Sequence, residues 1–171
     1  MSRRYGKWWS FSRPRQRLEG TEELRIGKEY ESYIADKLTD MQFKVTDIST
    51  RTYKDKNGKD RFYPFDLLAE SPYYSLAIDV KYRRSKAPIS IHNYVVKGQL
   101  SFDLGVKVDD RIYVFCTPNL ADSYIKMSTL LSITEKSCNG LYLLGGYYII
   151  ERHMTHSLSE IRKVREVAHL L

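Results

Sequence analysis

Cysteine is almost absent from this 171-residue chain, and long apolar runs are missing altogether. Cys116 and Cys138 stand alone, without C-x-x-C spacing. Two thiols are too few for a four-cysteine iron–sulfur cluster and give no zinc site by themselves, so both are expected to be reduced and partly buried. Lys, Arg, Asp or Glu interrupts every apolar run before it reaches membrane-spanning length. The basic N-terminus is not followed by the apolar core of a signal peptide. An intracellular protein without a membrane partner is therefore expected. No G-x-x-x-x-G-K-[ST] surrounds Gly145-Gly146, so that pair reads as a turn and no nucleotide cofactor is implied. No internal repeat is present.

Acidic residues are also missing from positions 1–18, which hold Arg3, Arg4, Lys7, Arg13, Arg15 and Arg17. Those six cations account for nearly all of the formal net charge of +7, leaving a near-neutral body. A basic tail on such a body points to a polyanion, either nucleic acid or an anionic surface. Residues 1–20 lack helical or strand periodicity and read as a flexible arm. Its Trp8, Trp9 and Phe11 can stack on unpaired bases or dock on the protein's own surface. Residues 21–171 then form a single domain, with a core over about 25–117 and a C-terminal extension over 118–171. A hydrophobic content of 42% with 13% aromatics fits a globular body of this size.

The clearest helix runs from Glu22 to Phe43, with Ile26, Tyr30, Tyr33, Ile34, Leu38 and Met41 as its apolar stripe and Thr21 as a candidate cap. Glu31 lies at the border of that stripe and Glu29 on the other flank. Strands are expected over Lys44–Tyr53 and Arg61–Ala69, joined by a hairpin at Asn57-Gly58, and over Tyr74–Tyr82 after a turn at Ser71-Pro72. His92–Val106 reads as a helix, Arg111–Thr117 as a buried strand, and the segment around Tyr147 as a further strand. Ser157 with Glu160 forms a capping box opening an amphipathic helix through Leu171. This order predicts an α/β fold with a mixed β-sheet flanked by helices, its first strands antiparallel and 111–117 reached by a crossover.

The stretch AIDVKYRRSK, residues 77–86, puts two charged groups inside an apolar strand. Asp79 and Lys81 share one face while Val80 takes the other. If 61–69 and 74–82 pair antiparallel, Asp66 approaches Asp79, and Glu31 joins them from the helix. Clustered carboxylates raise one another's pKa unless a cation neutralises them. Oxygen ligands of this kind suit Mg²⁺, or Mn²⁺ as substitute, which can activate water and polarise a phosphodiester. Lys81 can orient the water and stabilise charge on phosphorus. Arg83, Arg84 and Lys86 can hold the nucleic-acid backbone. Tyr94 and Gln99 can contact DNA or orient Lys81. The bland alternative makes Asp79–Lys81 a solvated ion pair and Asp66 an ordinary strand-end residue. His92, and the H-x-x-H of His153 and His156, read as incidental or surface histidines.

Asp66, then Asp79-Val80-Lys81, with an upstream helix glutamate, resembles the PD-(D/E)xK nuclease superfamily, the restriction-endonuclease-like fold. Within it the pattern is most similar to archaeal Holliday-junction resolvases, in which a glycine precedes the helix glutamate by four residues, as Gly27 precedes Glu31. Phe43-Lys44-Val45 matches their strand start. The resemblance implies a Mg²⁺-dependent DNA endonuclease, acting on branched DNA as a homodimer. It makes Asp66, Asp79 and the Val80 carbonyl metal ligands, Glu31 a further ligand or water-positioning acid, and Lys81 the catalytic lysine. Leu141–Ile150 and the C-terminal helix are the candidate interface. The chain departs from the pattern in three ways: Pro64 is one residue removed from Asp66, Asp79 stands where glutamate is commoner, and the Asn57-Gly58 hairpin is an insertion. A catalytically idle nucleic-acid-binding module and a sequence-specific restriction endonuclease remain the alternatives.

Overall fold

A computed structural model describes residues 22–83, 87–118, 120–133 and 141–161. The basic arm with Arg3, Arg4, Lys7, Arg13, Arg15 and Arg17, the residues Arg84, Lys86 and Cys138, the Thr21 cap and the C-terminal helix beyond Ile161 lie outside them.

The described chain opens with α1 (Glu22–Asp40), followed by a turn at Gln42, a residue with positive φ. There follow β1 (Lys44–Asp47), β2 (Thr52–Lys54), β3 (Asp60–Phe62), β4 (Leu67–Glu70), β5 (Ser75–Tyr82) and β6 (Ile89–His92). Next come α2 (Asn93–Ser101), β7 (Asp110–Cys116), β8 (Ser123–Lys126), α3 (Met127–Leu131), β9 (Leu141–Leu144), β10 (Tyr147–Ile150) and β11 (His156–Ser157). Six strands form the central sheet in the order β1-β4-β5-β7-β8-β11. Within it β5 and β7 run parallel and all other pairs antiparallel, so the sheet is mixed as its sequence order implied. The parallel step is the crossover through β6 and α2.

Alternation along β5 divides the protein into two cores. Leu76 and Ile78 face α1, packing with Ile34, Leu38, Ile112 and Val114. Ala77 faces the other way, into a core with Tyr113, Phe115, Val96 of α2 and Met127 of α3. A second sheet, β6-β10-β9, closes that side with Ile89, Ile91, Tyr148 and Ile150. Cys116 is a buried free thiol, pushed up to about 12 by desolvation and the nearby Asp122 carboxylate.

Several sequence expectations change. The strand over 44–53 breaks after Asp47, whose carboxylate accepts from the Ser49 N–H (2.9 Å) and hydroxyl (2.6 Å) and turns the chain. The strand over 61–69 breaks at Tyr63-Pro64-Phe65-Asp66, because proline has no N–H for the ladder. β2 and β3 consequently form a separate two-stranded ribbon, with Gly58 at its tip in the left-handed region (φ 76°). The helix expected from His92 is only nine residues long and follows a strand. Its start is fixed by His92 Nδ1, which accepts from the Tyr94 N–H at 3.0 Å. Its end is fixed by the Arg111 guanidinium, which donates to the Gln99 and Phe102 carbonyls. Tyr33 leaves the apolar stripe: it is exposed, and its hydroxyl donates to Asp122 at 2.8 Å. Ser157 makes no side-chain cap, since its hydroxyl meets that of Ser159 and the chain enters a 3₁₀ turn at Leu158–Glu160. Residues past 117 extend the central sheet through β8 and β11.

Candidate active site

Asp66 occupies the point where the β4–β5 ladder ends. Leu67 pairs with Ile78 as the last pair of that ladder, one residue short of Asp66 and of Asp79. The Asp66 backbone N–H donates to the Ile78 carbonyl (2.9 Å), and its carboxylate accepts the Val80 N–H at 2.8 Å. The side chain thus takes over a ladder position that Pro64 and Phe65 no longer serve.

Glu31 reaches this point from α1. It hydrogen-bonds with Asp66, and Lys28 Nζ lies 3.2 Å from its Oε2. Asp79, one residue beyond Ile78 on β5, belongs to the opposite face. It is 9% exposed, and its Oδ2 accepts from Gln99 Nε2 (2.7 Å) on α2 and lies 3.3 Å from Lys81 Nζ. Glu31 and Asp79 therefore come from opposite sides of the sheet and meet around Asp66 at its frayed seam. Desolvation, then the Asp79 and Glu31 charges, push the Asp66 carboxyl up to about 8.

Gln99 is buried and saturated. Its amide nitrogen also donates to the Pro64 carbonyl at 2.9 Å, and its oxygen accepts from the Tyr113 hydroxyl. Burial and Asp79 push the Tyr113 phenol upward, so it stays a donor. Lys81 Nζ stands 6.0 Å from the Tyr113 ring centroid, within cation–π range. Gln99, expected to contact DNA or orient Lys81, is buried and donates to Asp79. Tyr113 escaped the sequence reading, and its only signal was its position opposite Asp79 across the parallel β5–β7 pair. Tyr94 is exposed, with its ring edge-on to His92. His153 and His156 are exposed and lie beside Glu151 and Glu160. Arg83 is exposed at the end of β5, with its N–H bonded to the Cys116 carbonyl.

Among the described residues, no group of three or more His, Cys, Asp or Glu side chains is assembled to hold a metal ion. The expected three-acid convergence is electrostatic rather than a closed cage. Hard carboxylate oxygens in mutual repulsion, each acid with one oxygen already tied to the protein, still suit a small divalent cation that completes its shell with water and phosphate.

No protein-family model matches this chain, and no curated protein matches it in sequence. Solved structures do match. Hjc, a Holliday junction resolvase from the archaeal hyperthermophile Archaeoglobus fulgidus, aligns with a TM-score of 0.59 at 16% identity, covering 80% of this chain and 95% of that one. A nuclease from a fusselovirus aligns with a TM-score of 0.49 at 18% identity, covering 88% and 93%. The protein has the mixed α/β fold of the resolvase, a mixed central sheet flanked by helices. No helix among the described residues is long and apolar enough to cross a membrane.

Proposed function

We propose that the protein is a divalent-cation-dependent endodeoxyribonuclease of the PD-(D/E)xK type, cutting branched DNA as a homodimer. The observation that carries this reading is Asp66 at the end of the β4–β5 ladder, within electrostatic reach of Asp79 and Glu31, with Lys81 3.3 Å from Asp79. Asp66, Asp79 and the Val80 carbonyl would hold Mg²⁺ or Mn²⁺, with Glu31 as a further acid. When bound, such an ion supplies Lewis acidity toward the phosphodiester and lowers the pKa of water.

The chain's own groups do the rest. Lys81 presents an ammonium beside the acids, able to hold a water in line with phosphorus and to stabilise the charge developing on the non-bridging oxygens. Gln99 and Tyr113 keep the Asp79 carboxylate turned toward Lys81. Arg83, and in sequence Arg84 and Lys86, supply cations for the flanking backbone. The exposed Leu144 and Tyr147 of the second sheet offer apolar surface to a second copy.

Incubation with a four-way junction, linear duplex and single strands, with Mg²⁺ or EDTA, tests the reading. Metal-dependent junction cutting is expected, lost in Asp79→Ala and Lys81→Ala while DNA affinity persists. Full activity in either variant refutes the assignment. Binding without cutting marks an idle module, and discrete cuts in linear duplex mark a restriction enzyme.

A further inference from the structure

The ribbon β2–β3 stands apart from both sheets, and every residue of its strands is exposed. Its two faces differ. Tyr53 and Arg61 form one cross-strand pair, and the Tyr53 ring packs edge-on against Tyr63 and Phe102. That face is anchored to the domain. Thr52 pairs with Phe62 on the other face, where the Phe62 ring is 68% exposed. A large aromatic ring held outward, on a ribbon whose other face is anchored, is open to a partner.

The surrounding charge is positive. Residues 51–62 contain five Lys or Arg against two Asp. Both acids are consumed internally, Asp60 by Lys54 (2.8 Å) and Asp55 by Arg61 (3.0 Å). Arg51, Lys56 and Lys59 have no acidic partner among the described residues. The tip is also pre-ordered: Asp55 accepts from the N–H groups of Asn57 (2.8 Å) and Lys59 (2.9 Å). A surface ordered before binding loses less entropy on contact. The base of the ribbon is tied toward the acid cluster: the Tyr63 N–H bonds the Arg51 carbonyl, and the Ile48 N–H bonds the Asp66 carbonyl. Asp66 lies four positions after Phe62, at most roughly 14 Å of chain, which is about four base steps along one DNA strand.

We infer that this ribbon is a nucleic-acid contact on which Phe62 stacks against an unpaired base at a branch point, while Lys56, Lys59 and Arg51 hold the adjoining phosphates. Stacking needs an open base face, which a continuous duplex does not offer, so the ring discriminates branched from linear DNA. Excess positive charge favours this occupant over a second copy of the chain, which carries the same charge. The inference rests on the nuclease reading for its substrate, but it can fail independently.

The test is the dissociation constant of the full chain, in EDTA, for a four-way junction and a linear duplex, with wild type, Phe62→Ala and Phe62→Trp. Loss of one stacked base weakens junction binding about tenfold in Phe62→Ala, leaves duplex binding within about twofold, and is restored by Phe62→Trp. Lys56→Ala with Lys59→Ala weakens both and reduces the slope of log affinity against log salt by about 1.8. An unchanged junction-to-duplex ratio in Phe62→Ala, with wild type binding DNA, overturns the inference and leaves the nuclease reading intact. A Phe62→Ala effect on sedimentation but not on DNA affinity makes the ribbon a contact between copies and overturns it too. Wild type that binds no DNA removes both.

Discussion

Asp66 should make the protein less stable as the pH rises through neutrality. Its carboxyl sits at about 8 in the folded chain against an ordinary 3.8, for reasons of desolvation and of the Asp79 and Glu31 charges. Between those values the unfolded chain has released the proton and the native chain retains it. The native state therefore binds more protons, and stability falls by roughly 1.4 kcal/mol for each pH unit until the folded group ionises near 8. Below about pH 4 both states are protonated and the slope vanishes. From pH 5 to 7 the loss is about 3 kcal/mol, or roughly 6–12 °C in Tm for a chain of this length. Asp66→Asn keeps an oxygen for the Val80 N–H but cannot ionise, so it should remove most of that drop. Thermal melts by circular dichroism at pH 5, 6 and 7 in EDTA read the effect. Because the Glu31 charge and its hydrogen bond help to raise the Asp66 carboxyl, Glu31→Gln should flatten the same slope. Wild type and Asp66→Asn with parallel pH profiles would refute the account.

The same proton competes with a cation, so Mg²⁺ affinity measured by calorimetry should rise up to about tenfold per pH unit below 8, and a pH-independent affinity would mean that the ion does not meet Asp66. Gln99→Leu leaves the Tyr113 hydroxyl and the Pro64 carbonyl without a partner, costing about 1–3 kcal/mol in denaturant titration. It should also lower kcat with little change in KM for DNA, whereas an unchanged kcat would make Gln99 purely structural. Deleting residues 1–18 removes six cations. The salt slope of DNA binding should then fall by up to about five, and an unaltered slope would show that the arm does not touch phosphate.

How far the sequence reveals this arrangement depends on the range of the interaction. Features set by a few adjacent residues were readable: the Ile34–Leu38 stripe of α1, the Asn57-Gly58 turn, and the alternation that puts Asp79 and Lys81 on one face. The antiparallel pairing of β4 with β5 followed from the Ser71-Pro72 turn, whose Ser71 N–H and hydroxyl both bond the Tyr74 carbonyl at 2.9 Å. Long-range pairings were not readable. Ile89–His92 carries no strand signature that distinguishes it from a helix start, and its role comes from β10, far along the chain. Gln99 was read as a residue that contacts DNA or orients Lys81, and only the tertiary packing of α2 over β5 aims it at Asp79. Tyr33 matched the helical period but lies where α1 overhangs the sheet, beside Asp122 rather than apolar surface.

The seam at Asp66 explains how a sheet packed on both sides can hold two acids and receive a third from α1. A carboxylate in mid-strand would be sealed into one of the two cores at a cost of several kcal/mol. Where the ladder stops, the strand that should have continued is Tyr63-Pro64-Phe65, whose proline cannot pair. The freed Val80 N–H goes to the Asp66 carboxylate, and the freed Pro64 carbonyl goes to Gln99. One interrupted strand thus anchors the acid just before β4 and, through Gln99, orients an acid from β5, while Glu31 reaches Asp66 from α1. The proline is therefore a structural cause of the site rather than a neighbour to it. Replacing Pro64 by a β-former should favour continuation of β4 toward β3 and draw Asp66 out of register with Asp79. Activity should fall in Pro64→Val while DNA binding by the ribbon persists, and a Pro64→Val enzyme of wild-type activity would show that the seam does not need the proline.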